Sequence, residues 1–184
     1  MIHVSRINLK VVGRNPERSI DESPTPWRLN LCNTDLMEAD HTLFEAAADQ
    51  LRRRWPDAPA GVAAAAYLSD GSVLTGVALD NFNPAMSLCA ETGPICEAYS
   101  LGQSIVASIC VLRERDREGL IVLAPCGACQ ERLALWGPRV EVGVSDPERS
   151  RGWSSRSLVE LNPYYWASVF AEDDVWPSAT QHGG

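Results

Sequence analysis

The sequence predicts a single α/β domain, and three observations carry that expectation. Apolar runs of strand length alternate with segments of helical spacing along most of the chain. Two of the runs are joined by Ser69-Asp70-Gly71, the turn chemistry of a β-hairpin. The runs at 120–124 and 140–144 flank a helical segment and are largely apolar, as in covered strands with at least some parallel pairing. At 184 residues the chain is long enough for one compact domain and too short for two ordinary ones.

The elements follow in order. Residues 2–12 (IHVSRINLKVV) alternate partly, as a strand would, and the proline-rich, charged GRNPERSIDESPTPW after them reads as a loop. Trp27, Leu29 and Leu31 alternate with polar residues, which fits a short strand. Residues 1–36 are assigned to an N-terminal extension, and 37–184 to the principal domain. From Leu36 to Trp55 the spacing is helical, with Leu43, Ala47 and Leu51 on one face. Two starts compete for this helix, a capping box at Thr42 and Glu45 or one at Asp35 and Glu38, and Pro56 and Pro59 end it. The hairpin runs from Val62 to Leu68 and from Ser72 to Leu79, followed by the loop NFNPAMSL. Between Glu91 and Arg113, Ile95, Ala98, Leu101, Ile105, Ile109 and Leu112 recur at helical spacing, predicting one long helix. LIVLA (120–124) predicts a buried strand, PCGACQERLALW a helix, and Val140 to Val144 another strand. SLVELNPYYW predicts a short helix or turn.

Composition narrows the function classes. A hydrophobic fraction of 45% and a charged fraction of 22% are those of a globular protein, and no stretch is apolar for long enough to span a bilayer. The first residues lack the apolar core of a secretory signal, so a cytoplasmic chain is expected. A formal net charge of −8 disfavours a broad grip on nucleic acid or on an anionic membrane. The run Arg52, Arg53, Arg54 falls at a helix end, where cations suit the dipole.

Cysteines lie at 32, 89, 96, 110, 126 and 129, and without an export signal their expected states are free thiol and metal ligand. Cys96 and Cys110 fall within the long helical pattern and are expected to be small buried hydrophobes. Cys89-Ala90-Glu91 and Pro125-Cys126-Gly127-Ala128-Cys129 each stand where a loop or strand meets a helix start. Three thiolates can converge there, favoured by the helix dipoles and free N–H groups. Three protein ligands leave the fourth position of a tetrahedral zinc open, the pattern of a catalytic rather than a structural site. His3, His41 and His182 are placed as surface residues. Glu91, two residues from a ligand, is set to take a proton from water at the metal and deliver it to substrate. A thioredoxin-like reading of the CxxC pair remains, but it leaves Cys89 and Glu91 without a role.

CAE followed by PCGAC resembles the zinc-dependent cytidine deaminases. The resemblance runs from about Met37 to Trp166 and takes in AGVAAAAYLSDGSVLTGV and APCGACQERL. SDGSVLTGV before CAE, and RSLVELNPYYW near the end, look most like the blasticidin S deaminase branch of small three-cysteine enzymes. The resemblance implies a three-layer α-β-α fold, a mixed sheet of about five strands with helices on both faces, and a homotetramer whose subunits share active sites. It implies one zinc per subunit on Cys89, Cys126 and Cys129. Glu91 would shuttle protons in the hydrolysis of a cytosine ring at C4, giving a uracil-type product and ammonia. The substrate implied is a free nucleoside, cytidine or deoxycytidine, or an antibiotic of the blasticidin S type. Substrate contacts would come from Ala78, Asp80, Asn81, Phe82, Asn83, Ala90 and Pro125, and a carbonyl near Ser87 to Cys89 or that of Pro125 would hold the leaving amine.

Two departures bear on substrate and charge. Nucleoside deaminases grip the ribose with Asn-x-Glu, and aligning TGVALDN on that motif puts Ala78 and Asp80 there. Three thiolates and one zinc sum to −1, which many relatives offset with arginine after the glutamate or after the last cysteine. Here Thr92 and Gln130 hold those places, so Arg132 or the helix dipoles are expected to compensate. Tyr164, Tyr165, Trp166 and Phe82 fit either packing or stacking on the substrate base. The alternative functions are a deaminase of bases in nucleic acid and a catalytically silent, zinc-containing nucleoside-binding protein.

Overall fold

A computed structural model describes residues 37–171 together with residues 176 and 177. The extension 1–36, its expected strands, Cys32, His3 and His182 lie outside the described residues. The first helix, α1 (His41–Arg54), starts at neither expected capping box. Asp40 caps it: one carboxylate oxygen accepts from Leu43 N at 2.8 Å and from the Tyr67 hydroxyl at 3.0 Å. That second bond comes from a strand, so the competing starts could not be separated from local sequence. Leu43, Ala47 and Leu51 are fully buried along one face, and Arg52, Arg53 and Arg54 occupy the last turn, both as expected.

The hairpin forms as read. Strand β1 (Gly61–Leu68) pairs antiparallel with β2 (Val73–Val77), from Ala63 opposite Val77 to Tyr67 opposite Val73. In the turn, Gly71 takes φ +83° and Asp70 accepts from the Ser72 amide at 2.9 Å.

The long helix expected over 91–113 is corrected. Only α2 (Thr92–Ser100) is helical; the chain turns at Gly102, φ +65°, and Ile105–Arg113 is strand β3. Because β3 is covered on both faces it is apolar from Ile105 to Leu112 except at Ser108, and a near-continuous apolar run satisfies helical spacing by accident. Its centre, Ala107 to Val111, is buried at every position. It runs antiparallel to β1 along its whole length. Its other edge is shared by β4 (Ile121–Leu123), antiparallel, and β5 (Glu141–Ser145), parallel. Between β4 and β5 lies α3 (Gly127–Leu133), and β6 (Trp153–Ser157) then pairs with β5 before α4 (Leu158–Leu161). The mixed sheet has six strands rather than about five, in the order β2-β1-β3-β5-β6 with β4 also on β3. Strand β6, with the polar sequence WSSRS, gave no apolar alternation to find.

Alternate residues of β1 face opposite cores. Ala63, Ala65 and Tyr67 pack with α1, while Ala66 and Leu68 join Ile95 of α2, Leu133 of α3 and Leu158 of α4. This is the expected three-layer α-β-α arrangement. No helix among the described residues is long and apolar enough to cross a membrane.

Helix α4 carries a pH-dependent increment. The Ser157 amide and hydroxyl each donate to Glu160 Oε2 at 2.8 Å, holding this carboxyl below its ordinary value. A lowered folded value stabilises above the unfolded value of about 4.3 and loses that stability as pH falls through the folded one. Glu160→Gln is therefore expected to lower urea-unfolding stability by about half a kcal/mol at pH 7, a cap contribution reduced by solvent exposure, and to make no difference at pH 2. Equal stabilities at both pH values would exclude the effect.

Candidate metal centre and active site

The site is built where β2 and β4 run out into the starts of α2 and α3. Beyond β2, Ala78 N donates to Val62 O at 3.0 Å, and Leu79 and Leu88 exchange backbone bonds of 3.0 Å. These close a loop whose base delivers Cys89. Asn81 Oδ1 accepts from Asn83 N at 3.0 Å, and Asn83 Oδ1 accepts from Ala85 N at 3.2 Å, starting a 3₁₀ turn at Pro84–Met86. Both asparagine oxygens are thus engaged in shaping the loop, while Phe82 is fully exposed at its tip. Ala78 and Asp80 line an open cavity beside Trp55. Ala90 is buried against Ala64 and Cys110.

A strand-interior glycine marks close approach of another backbone, and Gly76 does so here. A Cβ at this position would lie 2.5 Å from Ala90 O and 2.5 Å from Pro94 Cδ. Gly76 thereby lets the start of α2 sit directly on β2. Glu91 stands at that start, 5% exposed, without capping the helix.

Pro125 follows β4, Cys126 adopts the extended N-cap conformation of α3, and Cys129 lies one turn further in. Cys89 Sγ and Cys126 Sγ are 3.4 Å apart, and the sulfurs of Cys89, Cys126 and Cys129 all lie within 4.8 Å of one another. A tetrahedral ion with metal–sulfur bonds of about 2.3 Å spaces its sulfurs roughly 3.8 Å apart, so the donor set fits zinc. Cys129 Sγ is also 3.3 Å from Glu91 Oε2. Cys89 and Cys126 are exposed and Cys129 is buried, giving the group one open side.

The electrostatics differ from thiol to thiol. Burial and then the Glu91 carboxylate push the Cys129 thiol far up. Burial also raises Cys126, but the Cys129 N–H, the Cys89 and Cys129 thiols and the Ala128 N–H outweigh it and hold Cys126 below its ordinary value. The bond to Cys126, followed by burial, raises Cys89. Burial pushes up the Glu91 carboxyl, partly offset by its bond from Cys129 and by the field of Arg132. Of the remaining cysteines, Cys110 is buried as expected, although on strand β3; Cys96 is exposed on α2, correcting the expectation that it is buried.

Three successive residues after Cys129 tie α3 to three neighbours. Gln130 Nε2 donates to Pro125 O at 2.9 Å, closing the strand-to-helix turn. Glu131 accepts from the Tyr165 hydroxyl and from Trp166 Nε1, each at 3.0 Å. Arg132 Nη1 donates to Thr92 Oγ1 at 3.1 Å, joining α3 to the start of α2 next to Glu91. Tyr165 is buried and stacks on Trp176, so it serves the core, whereas Tyr164 and Trp166 are exposed. Sequence reasoning found Arg132 but not its bond to Thr92 or the role of Glu131, because both ties are tertiary, while the Gln130–Pro125 bond spans only five residues and is local. Gly76, by contrast, carried the signal of an interior strand glycine.

No family model matches the chain. A cytidine deaminase of Mycobacterium tuberculosis is 37% identical over 91 residues, 49% of this chain and 64% of that protein, so the chain spans just under two thirds of that relative. The blasticidin-S deaminase of Bacillus cereus is 28% identical over 109 residues, 56% of this chain and 77% of that protein. Among solved structures, the cytidine deaminase of Bacillus anthracis superposes with a TM-score of 0.65 at 37% identity, covering 70% of this chain and 90% of that one. With its mixed six-stranded sheet and this superposition, the chain is an α/β protein of the cytidine deaminase fold. The chain belongs to the cytidine deaminase family.

Proposed function

We propose that the protein is a zinc-dependent hydrolase that deaminates the cytosine ring of a free nucleoside or nucleoside antibiotic. The observation that carries this reading is the meeting of three sulfurs within 4.8 Å with a buried carboxylate 3.3 Å from one of them. Cys89, Cys126 and Cys129 would hold the ion, one per chain. Zinc held there would supply Lewis acidity, lowering the pKa of water toward about 7.

The chain's own residues carry the rest. Glu91, made more basic by its burial, takes one proton of the water as it adds to C4 and passes it to the ring nitrogen, then takes the second and passes it to the departing amine. The C4–N bond breaks, a C4–oxygen bond remains, and one water has become a uracil carbonyl and ammonia. The Pro125 carbonyl is held in place by Gln130 and has a second lone pair for the leaving amine. Arg132, between Thr92 and the field of Glu91, offsets the net negative charge of three thiolates on one zinc. Residues 37–184 form the catalytic domain in this reading. Exposed Leu79, Phe82, Met86 and Leu88 on the loop beside the site suit burial between subunits of a homotetramer. Thiolate ligands fit a reducing cytoplasm.

Purified protein incubated with cytidine, deoxycytidine, CMP and blasticidin S is expected to release ammonia from at least one, with loss of the cytosine absorbance. No ammonia from any of the four would sink the reading.

A further inference from the structure

The three sulfurs at the candidate metal centre are not equivalent. Cys89 and Cys126 are exposed, and their sulfurs are 3.4 Å apart. Cys129 is fully buried, and its sulfur lies 3.3 Å from Glu91 Oε2. A disulfide bond is about 2.05 Å long, so joining the exposed pair takes an approach of roughly 1.4 Å.

The backbone is placed to supply that approach. Cys89 follows the Leu79–Leu88 bridge and lies outside any helix or strand, and Cys126 is the extended N-cap of α3. Cys129 instead lies inside α3, where an oxidant in solution reaches it last. The sequence motif suggests a different pairing, since a CxxC spacing joins Cys126 to Cys129. The fold sets the accessible pair across 37 residues, between two separate elements.

We propose that Cys89 and Cys126 form a reversible oxidation site, at which hydrogen peroxide joins the two sulfurs and so dismantles the ligand set. The inference rests on the reading of the three thiols as one zinc site. One sulfur attacks the peroxide, the O–O bond breaks, and a sulfenic acid and the first water form. The second sulfur attacks the sulfenic sulfur, an S–S bond forms, and the remaining oxygen leaves as the second water. Two thiols and one peroxide thus become one disulfide and two waters, with two electrons passing from sulfur to oxygen. The neighbouring thiol captures the sulfenic acid before it is oxidised further to an irreversible sulfinic acid. Cys129 alone is then left to the ion, one ligand where a catalytic zinc has three. A transient disulfide of this kind suits a reducing compartment, where such bonds serve as sensors.

The test treats zinc-loaded protein with a small molar excess of hydrogen peroxide. Zinc per chain is expected to fall from near one to near zero, read by a chromophoric chelator. The thiol count of the denatured chain should fall by two from its six. Proteolysis followed by fragmentation mass spectrometry should place the link between Cys89 and Cys126, and dithiothreitol with added zinc should restore both thiols and metal. Cys96→Ser, which removes the other exposed thiol of the described residues, should oxidise at the wild-type rate. Cys129→Ala should still form the Cys89–Cys126 link, which a Cys126–Cys129 pairing does not allow. A link from Cys126 to Cys129, a link to any other cysteine, or zinc loss with sulfinic acid and no link would overturn the inference. Ammonia release from the cytosine nucleosides, measured on the same sample before oxidation, separates the two readings. Turnover without a Cys89–Cys126 link removes the oxidation site and leaves the deaminase reading intact. The link in a protein that releases no ammonia keeps the oxidation site while the deaminase reading falls.

Discussion

Glu91→Gln is expected to lower turnover by roughly a hundred- to ten-thousand-fold, the usual contribution of a positioned acid–base group, with zinc content unchanged. The melting temperature of the zinc-free protein should stay the same or rise. The carboxylate is 5% exposed, and burial pushes its pKa up, so the folded state is penalised for carrying this charge at neutral pH. For a carboxyl whose folded value is raised, the sign is clear: the charged form costs stability above the folded value, and the cost disappears as pH falls through it. Glutamine keeps the shape and removes the charge, so function and stability are expected to move in opposite directions. That opposition separates a proton carrier from a packing residue, whose replacement would lower stability along with activity. Activity near wild type would end the proton-transfer role; loss of zinc would make Glu91 a ligand or a support of the ligands instead.

What was legible in the sequence was local in origin. The hairpin followed from Ser69-Asp70-Gly71 because an Asp-Gly turn and β-prone flanks specify it without outside help. Leu43, Ala47 and Leu51 were found because one-sided burial imposes a period, and α1 is buried on one side only. The two cysteine motifs were readable because their ligand spacing is short and sits at predicted element boundaries. Strand β3 was misread for the converse reason: burial on both faces erases the alternation that separates strand from helix. The cap of α1 was hidden because Asp40 is favoured partly by Tyr67, 27 residues away. The same holds around the thiols. Arg132 to Thr92 spans 40 residues and Tyr165 to Glu131 spans 34, distances at which only the folded sheet brings the partners together.

The second large effect concerns Cys129. Cys129→Ala is expected to abolish both zinc retention and turnover, and to lower thermal stability beyond what zinc removal alone does. Two contributions are separable. A ligand that binds only the folded chain stabilises it in proportion to ln(1 + [L]/Kd), so losing a ligand side chain removes that increment. Cys129 is also fully buried, in contact with Glu91 Oε2, and its truncation opens a small cavity worth about 1 kcal/mol or more. Cys126 is exposed and removes the first contribution without the second. Chelator-treated wild type and Cys126→Ser should therefore melt together, with Cys129→Ala below both, when followed by circular dichroism in zinc-free buffer. Zinc per chain, read by atomic absorption after dialysis, should fall from near one to near zero in both variants. A full zinc complement in either would show that the three sulfurs, close as they are, do not act as one ligand set. Coincident melting of all three zinc-free proteins would show instead that Cys129 contributes through the metal alone.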